Sequence, residues 1–418
     1  MTFSIGLGGI AVAMRNRNYR LYTYGAIPSL IGTWIQRMAM GWLAWELTQS
    51  GMWLGLVAFA DLAPTVLTAP IAGAFADRVD RLRMVRFVQY MTMLQASLLA
   101  FFTLSGNMTI EILVGLAFFQ GAMQGVHQPF RQSLIGTIVS KQELTSAIGI
   151  NSTIWNTSRL IGPALSALII LKFGVGYTFL FNAFSYCPML ATLYMIRIDR
   201  RPSVKKSIAA VPGEIAEGFK YVSQHNFIAP LMILLFVFSF FGRATAEMLP
   251  GFTDAVFERG ADGLAILTGA AGLGSLFSGL WLSRRGKLSG LPNILIILIL
   301  LIAVSQIAFI SSNIFWVAAC VFAGWGFVLN GSGIIAQSLV QTIVPDSIRG
   351  RVVSLYGMLW LGTPAIGALV MGIAADFVGF RIPVAVGGIC IFAVYFWARF
   401  HRQKLNLALV DLEHKNAN

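Results

Sequence analysis

About twelve stretches of twenty or more mostly apolar residues follow one another along the chain. They lie at roughly 20–47, 51–76, 84–105, 110–130, 147–171, 175–196, 227–250, 263–283, 291–311, 314–340, 350–375 and 381–400. About 20 apolar residues is what a helix needs to cross the hydrocarbon core of a bilayer. In lipid the backbone must satisfy its own hydrogen bonds, so a run of this kind can only be helical. The succession predicts an all-α, polytopic membrane protein. Charge supply agrees: 11% of the residues are charged, against roughly 25% in an ordinary soluble domain.

The net charge of +13 would point to a nucleic-acid partner in a soluble chain. Here the excess follows the loops. With the N-terminus inside, the inner segments hold Arg15, Arg17, Arg20, Arg78, Arg81, Arg83, Arg86, Arg131 and Lys141, then the basic residues of a central linker and of the tail. Outer segments hold only Lys172, Arg259 and Arg381, and Arg37, Arg159 and Arg243 fall inside helices. Cytoplasmic loops carry such an excess of Lys and Arg, so both termini are expected inside and no nucleic acid is expected. Cys187, Cys320 and Cys390 each sit in an apolar run and read as buried thiols outside any disulfide framework. The start, MTFSIGLGGIAVAM, lacks the basic segment of a cleaved signal.

The longest polar break, about 198–226, divides the chain in two. Within it GEIAEGFKYV places Ile215, Phe219 and Val222 on one helical stripe opposite Glu214, Glu217 and Lys220, the pattern of a short helix lying on the inner membrane surface. The halves echo each other. QSLIGTIV at 132–139 returns as QSLVQTIV at 337–344, and GPALSALII at 162–170 as TPAIGALVM at 363–371. Arg37 corresponds to Arg243 and Gly73 to Gly279. A duplicated half of six helices is the plan of a two-bundle transporter. The predicted organisation is therefore a cytoplasmic segment 1–19, a six-helix bundle 20–197, the linker 198–226, a second six-helix bundle 227–400 and a cytoplasmic tail 401–418.

Residues 73–86 read GAFADRVDRLRMVR, charged between two apolar runs. With twelve spans, a repeated half and this loop, the chain resembles the major facilitator superfamily over nearly its whole length. The family's loop runs Gly-x-x-x-Asp-Arg-x-Gly-Arg-Lys/Arg. Gly73, Asp77, Arg78 and Arg81 match it, Asp80 stands at the usual glycine and Leu82 at the last basic residue. The second-half echo, GLWLSRRGK, keeps Gly279 and Arg284. The resemblance implies that Gly73, Asp77, Arg78 and Arg81 form a latch between the bundles. Exporters of the superfamily carry G-x8-G-x3-G-P-x2-G-G in the fifth span. Gly149, Ser158, Gly162, Pro163, Ser166 and Ala167 occupy those places, small residues throughout. The stretches RNRNYRLY, GTWIQRMAMGWLAWELTQSG, RATAEMLPGFTDAVF and RGRVVSLYGM look like the branch of enterobactin-exporter-like and macrolide-efflux-like proteins. In some members an acid stands where this chain has Thr33.

Ionisable groups inside a bilayer are costly unless paired or facing water, which makes each a functional candidate. Asp61 and Glu247 are candidate proton carriers, with the alternatives that Asp61 pairs with Arg37 and Glu247 with Arg243 at i, i+4. Arg159 either binds the carbonyls near Pro163 or serves as an anion hook. In the fourth run Gln120, Gln124, His127 and Arg131 form one polar stripe, echoed in the tenth by Asn330, Gln337 and Gln341. The first run adds Ser29, Thr33, Gln36 and Met40. These stripes are expected to line a substrate cavity or to join helices, and His127, with a reference pKa of about 6.5, could take part in proton transfer. Trp34, Trp42, Trp45 and Trp53 read mostly as an interfacial belt.

No Walker loop, zinc-ligand spacing or nucleophile triad can be read, and no metal or organic cofactor is expected. The reading is a secondary active exporter in a bacterial inner membrane, exchanging protons for a small, anionic or amphipathic substrate such as a siderophore or drug. It is expected to work as a monomer in the lipid bilayer. The alternatives are an importer or lysolipid permease of the same fold and, last, a receptor or membrane enzyme.

Overall fold

The structure, a computed structural model, describes residues 13–75, 79–140, 142–197, 211–285 and 290–400. Every regular element among them is a helix. In chain order these are α1 (Arg17–Thr48), α2 (Gly51–Phe75), α3 (Arg81–Leu104), α4 (Ile110–Ile138), α5 (Leu144–Phe173) and α6 (Val175–Met195). There follow α7 (Val211–Gln224), α8 (Ile228–Glu247), α9 (Ala261–Arg285), α10 (Leu291–Ser311), α11 (Phe315–Ile343), α12 (Asp346–Val378) and α13 (Arg381–Phe400). Among the described residues nine helices are long and apolar enough to cross a membrane: α2, α3, α5 and α8 to α13. The remaining long helices, α1, α4 and α6, have 32, 29 and 21 residues. Phe101, Phe118, Leu168, Phe184, Phe277 and Ile389 are exposed, while Gln36, Gln95, Asn182 and Gln306 are buried. A surface this apolar needs lipid rather than water against it.

Helix ends follow local chemistry. Asp80 precedes α3 and accepts the Arg83 backbone N–H at 3.1 Å, so the acid that departs from the family loop is an N-cap. Ser140 and Glu143 cap each other before α5: the Ser140 N–H donates to Glu143 Oε2 at 2.8 Å and the Glu143 N–H to Ser140 Oγ at 3.4 Å. The Ser140 backbone bond holds the Glu143 carboxyl below its usual range.

The chain packs as two compact units, residues 1–43 with 67–208, and residues 44–66 with 209–418. In the first, α1 lies close against α5 and α6 through small residues. A Cβ on Gly162 would lie 2.5 Å from Trp34 Cβ, and one on Gly32 would meet the Ser185 and Asn182 side chains. Ser166 Oγ donates to the Ile35 carbonyl at 3.1 Å. The fifth-run motif is thus a close helix–helix seat. Gly149 stands apart, with nothing within 4 Å of its would-be Cβ.

In the second unit α8 is interrupted. The run expected to be unbroken over 227–250 contains a wide (π) turn at Phe238–Arg243 and a break at Met248, and a second wide turn follows at Phe252–Val256. Pro250 has no N–H, so it fits the first turn of a restarted segment and not a continuous interior. Gln306 of α10 donates to the Phe241 carbonyl at 3.2 Å within the first wide turn and to Thr245 Oγ1 at 2.7 Å. The linker helix α7 rests on α12: Gly218 is buried, a Cβ there would lie 3.2 Å from Arg351 Cβ, and Glu217 pairs with Arg351. Its Phe219 is exposed.

The cysteines correct the sequence reading. Cys187 and Cys320 are exposed and Cys390 is intermediate. A spanning helix is apolar on its lipid face as well as its core face, so an apolar run alone does not tell the two apart.

Candidate functional site

One cleft in the first unit gathers polar residues from five helices. Its wall includes Ser29 and Thr33 (α1), Gln89 and Thr92 (α3), Gln124, His127, Gln128 and Arg131 (α4), Trp155 (α5) and Tyr186 (α6). The space is about 30 Å³, room for one water-sized group. Among the described residues no carboxylate lines it. Gln89 is 4% exposed and stands 3.4 Å from His127 through Nε2, while its Oε1 is buried without a partner. Turning the amide over would exchange the two ends and leave the NH2 in that position instead. Either way the cleft holds one unmet hydrogen-bonding group.

Arginines and indoles continue from this wall. The Arg131 guanidinium stands 6.0 Å from the Trp155 ring and donates to Gln128 Oε1 at 3.0 Å. Trp155 meets Trp34 edge-on at 5.6 Å, and Trp34 is flanked by Arg37 at 5.8 Å and Arg159 at 5.9 Å. Asn16 donates to the Ile138 carbonyl and Tyr19 to the Ala147 carbonyl. These bonds bring the start of α1, the end of α4 and the start of α5 to one end of the unit. Measured from that end at 1.5 Å per residue, Arg131 lies about 10 Å along its helix, Trp155 about 16 Å, Arg159 about 22 Å and Arg37 about 30 Å.

The second unit carries a related pair. Arg243, the last residue of the first wide turn, stacks on Trp360 at 4.0 Å, and Trp360 stacks on Tyr356, whose hydroxyl donates to the Gly333 carbonyl at 2.9 Å. Trp155 and Trp360 were missed from the sequence. Both could have been found, because their spacing of 205 is that of the QSLIGTIV and QSLVQTIV repeats.

Thr33, Gln124 and His127 therefore share the cleft, with Arg131 beside them. Gln36 is elsewhere: it is 1% exposed, donates to Gln95 at 3.0 Å and accepts from Asn182 at 2.8 Å. Gln120 is also buried, at 3%. Asn330 donates to the Ser275 carbonyl at 3.0 Å and joins α11 to α9, whereas Gln337 is exposed. Asp61 and Glu247 are half-buried in the second unit. Of the predicted latch, Gly73 is exposed and Arg81 donates to Thr137 Oγ1 at 2.6 Å. Asp77 and Arg78 lie outside the described residues. Of the four tryptophans read mostly as an interfacial belt, the half-buried Trp34 and the buried Trp45 are held by protein groups. Trp34 packs on Trp155, and Trp45, 3% exposed, donates to Asp254 Oδ2 at 2.8 Å.

The profile of a family described as transmembrane secretion effector matches residues 10–416. The chain is 26% identical to the staphyloferrin A transporter of Staphylococcus aureus over 398 residues, 92% of this chain and 96% of that one. It is 24% identical to the multidrug efflux pump Tap of Mycolicibacterium fortuitum, over 86% of this chain and 89% of the relative. Its fold superimposes on a crystal structure of the peptide transporter POT with a TM-score of 0.75, at 12% identity, over 94% of this chain and 96% of that one.

Proposed function

Since the chain belongs to the transmembrane secretion effector family of major facilitator transporters, and is thus a multi-pass membrane transporter and not an enzyme, we propose that it exports a small organic compound in exchange for protons. The observation that carries this reading is the polar cleft of the first unit, where His127, Gln124, Thr33 and Arg131 converge inside a body with a lipid-type surface. A polar, hydrogen-bonding pocket at membrane depth has no structural need to exist, since an apolar filling costs less. Two relatives support the reading: one is named as a transporter of staphyloferrin A, which bears on cargo, and one as a multidrug efflux pump, which bears on direction.

In this reading twelve helices cross the bilayer in two bundles with both termini cytoplasmic, and Asp61, Glu247 and His127 take up and release the proton. A carboxylate that alternates between a drier and a wetter or arginine-rich setting changes its proton affinity, which links occupancy by a proton to the direction the transporter faces. Asp77, Arg78, Arg81 and Gly73 form the cytoplasmic latch. The proton gradient supplies the energy, with no cofactor, and the chain works as a monomer.

The test is flux in proteoliposomes under an imposed pH gradient, with siderophores, macrolides and rhodamine 6G as substrates. Substrate movement should be accompanied by counter-movement of protons and should stop when a protonophore collapses the gradient. Flux indifferent to the gradient would refute the antiport. Asp61→Asn should lose gradient-driven flux and retain substrate exchange at equal pH; full gradient-driven flux in this variant would remove Asp61 from the coupling.

A further inference from the structure

We propose that the cleft beneath Arg131 is a subsite for a carboxylate group of the exported compound, and that Trp155 and Trp34 hold the guanidinium groups of Arg131, Arg159 and Arg37 along which that anion passes. This deepens the export reading and rests on it. Arg131 is the one charged residue on the cleft wall, and among the described residues no carboxylate lies within ion-pair distance of it. Its near neighbours are the neutral Gln128 amide, the buried Tyr22 hydroxyl and the Trp155 ring. A guanidinium offers five donors in a planar fork suited to a carboxylate, and Gln128 and the Tyr22 hydroxyl take up only part of that fork.

The size and chemistry of the cleft restrict the ligand further. About 30 Å³ receives a single small polar group and not a whole substrate, so the body of the compound must lie outside the cleft. The unmet end of the Gln89 amide asks for a hydrogen-bonding partner next to the anion, and Ser29, Thr33 and Gln124 offer others. A hydroxyl- or amide-bearing carboxylate meets all of these groups; a lipophilic cation meets none and is repelled by Arg131. Beyond the cleft, guanidinium groups recur on the indole pair at Arg159 and Arg37. Indole faces hold guanidinium groups by cation–π attraction, which keeps the arginines aligned without carboxylates of the protein's own at Arg131.

The experiment uses the full chain in lipid nanodiscs and two dyes of one ring system, carboxyfluorescein (anionic) and rhodamine 6G (cationic), with binding read by fluorescence anisotropy. Wild type should prefer carboxyfluorescein. Arg131→Gln should weaken its binding at least tenfold and leave rhodamine 6G binding unchanged or tighter, and Arg131→Lys should recover part of the loss. Gln89→Met, which keeps volume and removes the amide, should weaken carboxyfluorescein about threefold and supplies the test should Arg131→Gln fail to fold. Equal binding of both dyes by wild type, or equal loss of both in Arg131→Gln, overturns the subsite. Proton-coupled rhodamine 6G export without carboxyfluorescein binding would overturn the subsite and leave the export reading standing. Carboxylate binding that depends on Arg131, with no proton-coupled flux of either dye, would do the reverse.

Discussion

Protonation of one imidazole bears directly on how α8 begins. His225 Nδ1 accepts the backbone N–H groups of Phe227 at 3.2 Å and Ile228 at 3.3 Å, donors that a helix start leaves unmet. Only an unprotonated Nδ1 can accept them. Burial lowers the pKa of His225 below its usual value, so the folded chain binds this proton less readily than the unfolded one. The stabilisation is then fully present above the unfolded pKa of about 6.5 and is lost as pH falls through the lower, folded value. His225→Asn retains a side-chain acceptor that does not titrate. Thermal melts of the detergent-solubilised protein from pH 8 to pH 5 should show wild type losing more of its midpoint on acidification than His225→Asn. Parallel curves for the two proteins would show that the cap does not sense pH.

The helices meet through positions where a side chain would not fit, and neighbouring positions differ sharply in this respect. Gly162 and Gly149 are both motif glycines inside α5, yet only Gly162 sits against another helix, with Trp34 Cβ 2.5 Å from where its own Cβ would be. Gly162→Val should destabilise the first unit by about 1–3 kcal/mol through overpacking, while Gly149→Ala should be neutral or slightly stabilising, since alanine favours helix over glycine. Melting of the two variants side by side checks this; equal losses would refute the seat. In the linker helix α7 the same logic ranks two substitutions. The Glu217–Arg351 pair is largely exposed on the glutamate side, and such pairs contribute about 0–1 kcal/mol. Gly218 has no comparable freedom, because Arg351 and Leu355 stand at 3.2 Å and 3.3 Å from its would-be Cβ. Gly218→Leu should therefore release α7 from α12, read as faster protease cleavage within 211–224, whereas Glu217→Gln should cleave at nearly the wild-type rate.

On the scale of the whole chain, residues 44–66 pack in the second unit although the repeat assigns them to the first half. Gly51 and Gly55 seat the start of α2 on Ala368 and Gly372 of α12. Asp376 caps that start, accepting from Ser50 Oγ at 2.6 Å, the Gly51 N–H at 2.5 Å and the Met52 N–H at 3.1 Å. A carboxylate at a helix N-terminus is favoured by hydrogen bonding and by the helix dipole together. If the halves rock as whole bundles, this contact must open once in each cycle. Ala368, buried at 0%, reports on it. With the three native cysteines replaced by serine, Ala368→Cys should react several-fold faster with a membrane-impermeant thiol reagent when Asp376→Ala is added. An unchanged rate would show that the cap does not hold the contact. Length and apolarity were sufficient to find the long helices, because spanning lipid forces a helix on any such run, although α4 runs on to Ile138, well past the expected end at 130, and α8 is interrupted; the polar stripe of α4 was legible because Gln124, His127 and Arg131 recur at helical spacing. What only the tertiary structure decided is which face of each helix meets what. Lipid and protein core are both apolar, so the sequence could not tell the exposed Cys187 from a buried thiol, nor the half-buried Trp34 and buried Trp45 from a belt. Polar stripes likewise look alike whether they join helices, as at Gln36 with Gln95 and Asn182, or line a cleft, as at Thr33 and His127. The choice rests on which neighbour supplies the hydrogen-bonding partner, and neighbours distant in sequence are brought together only by the fold.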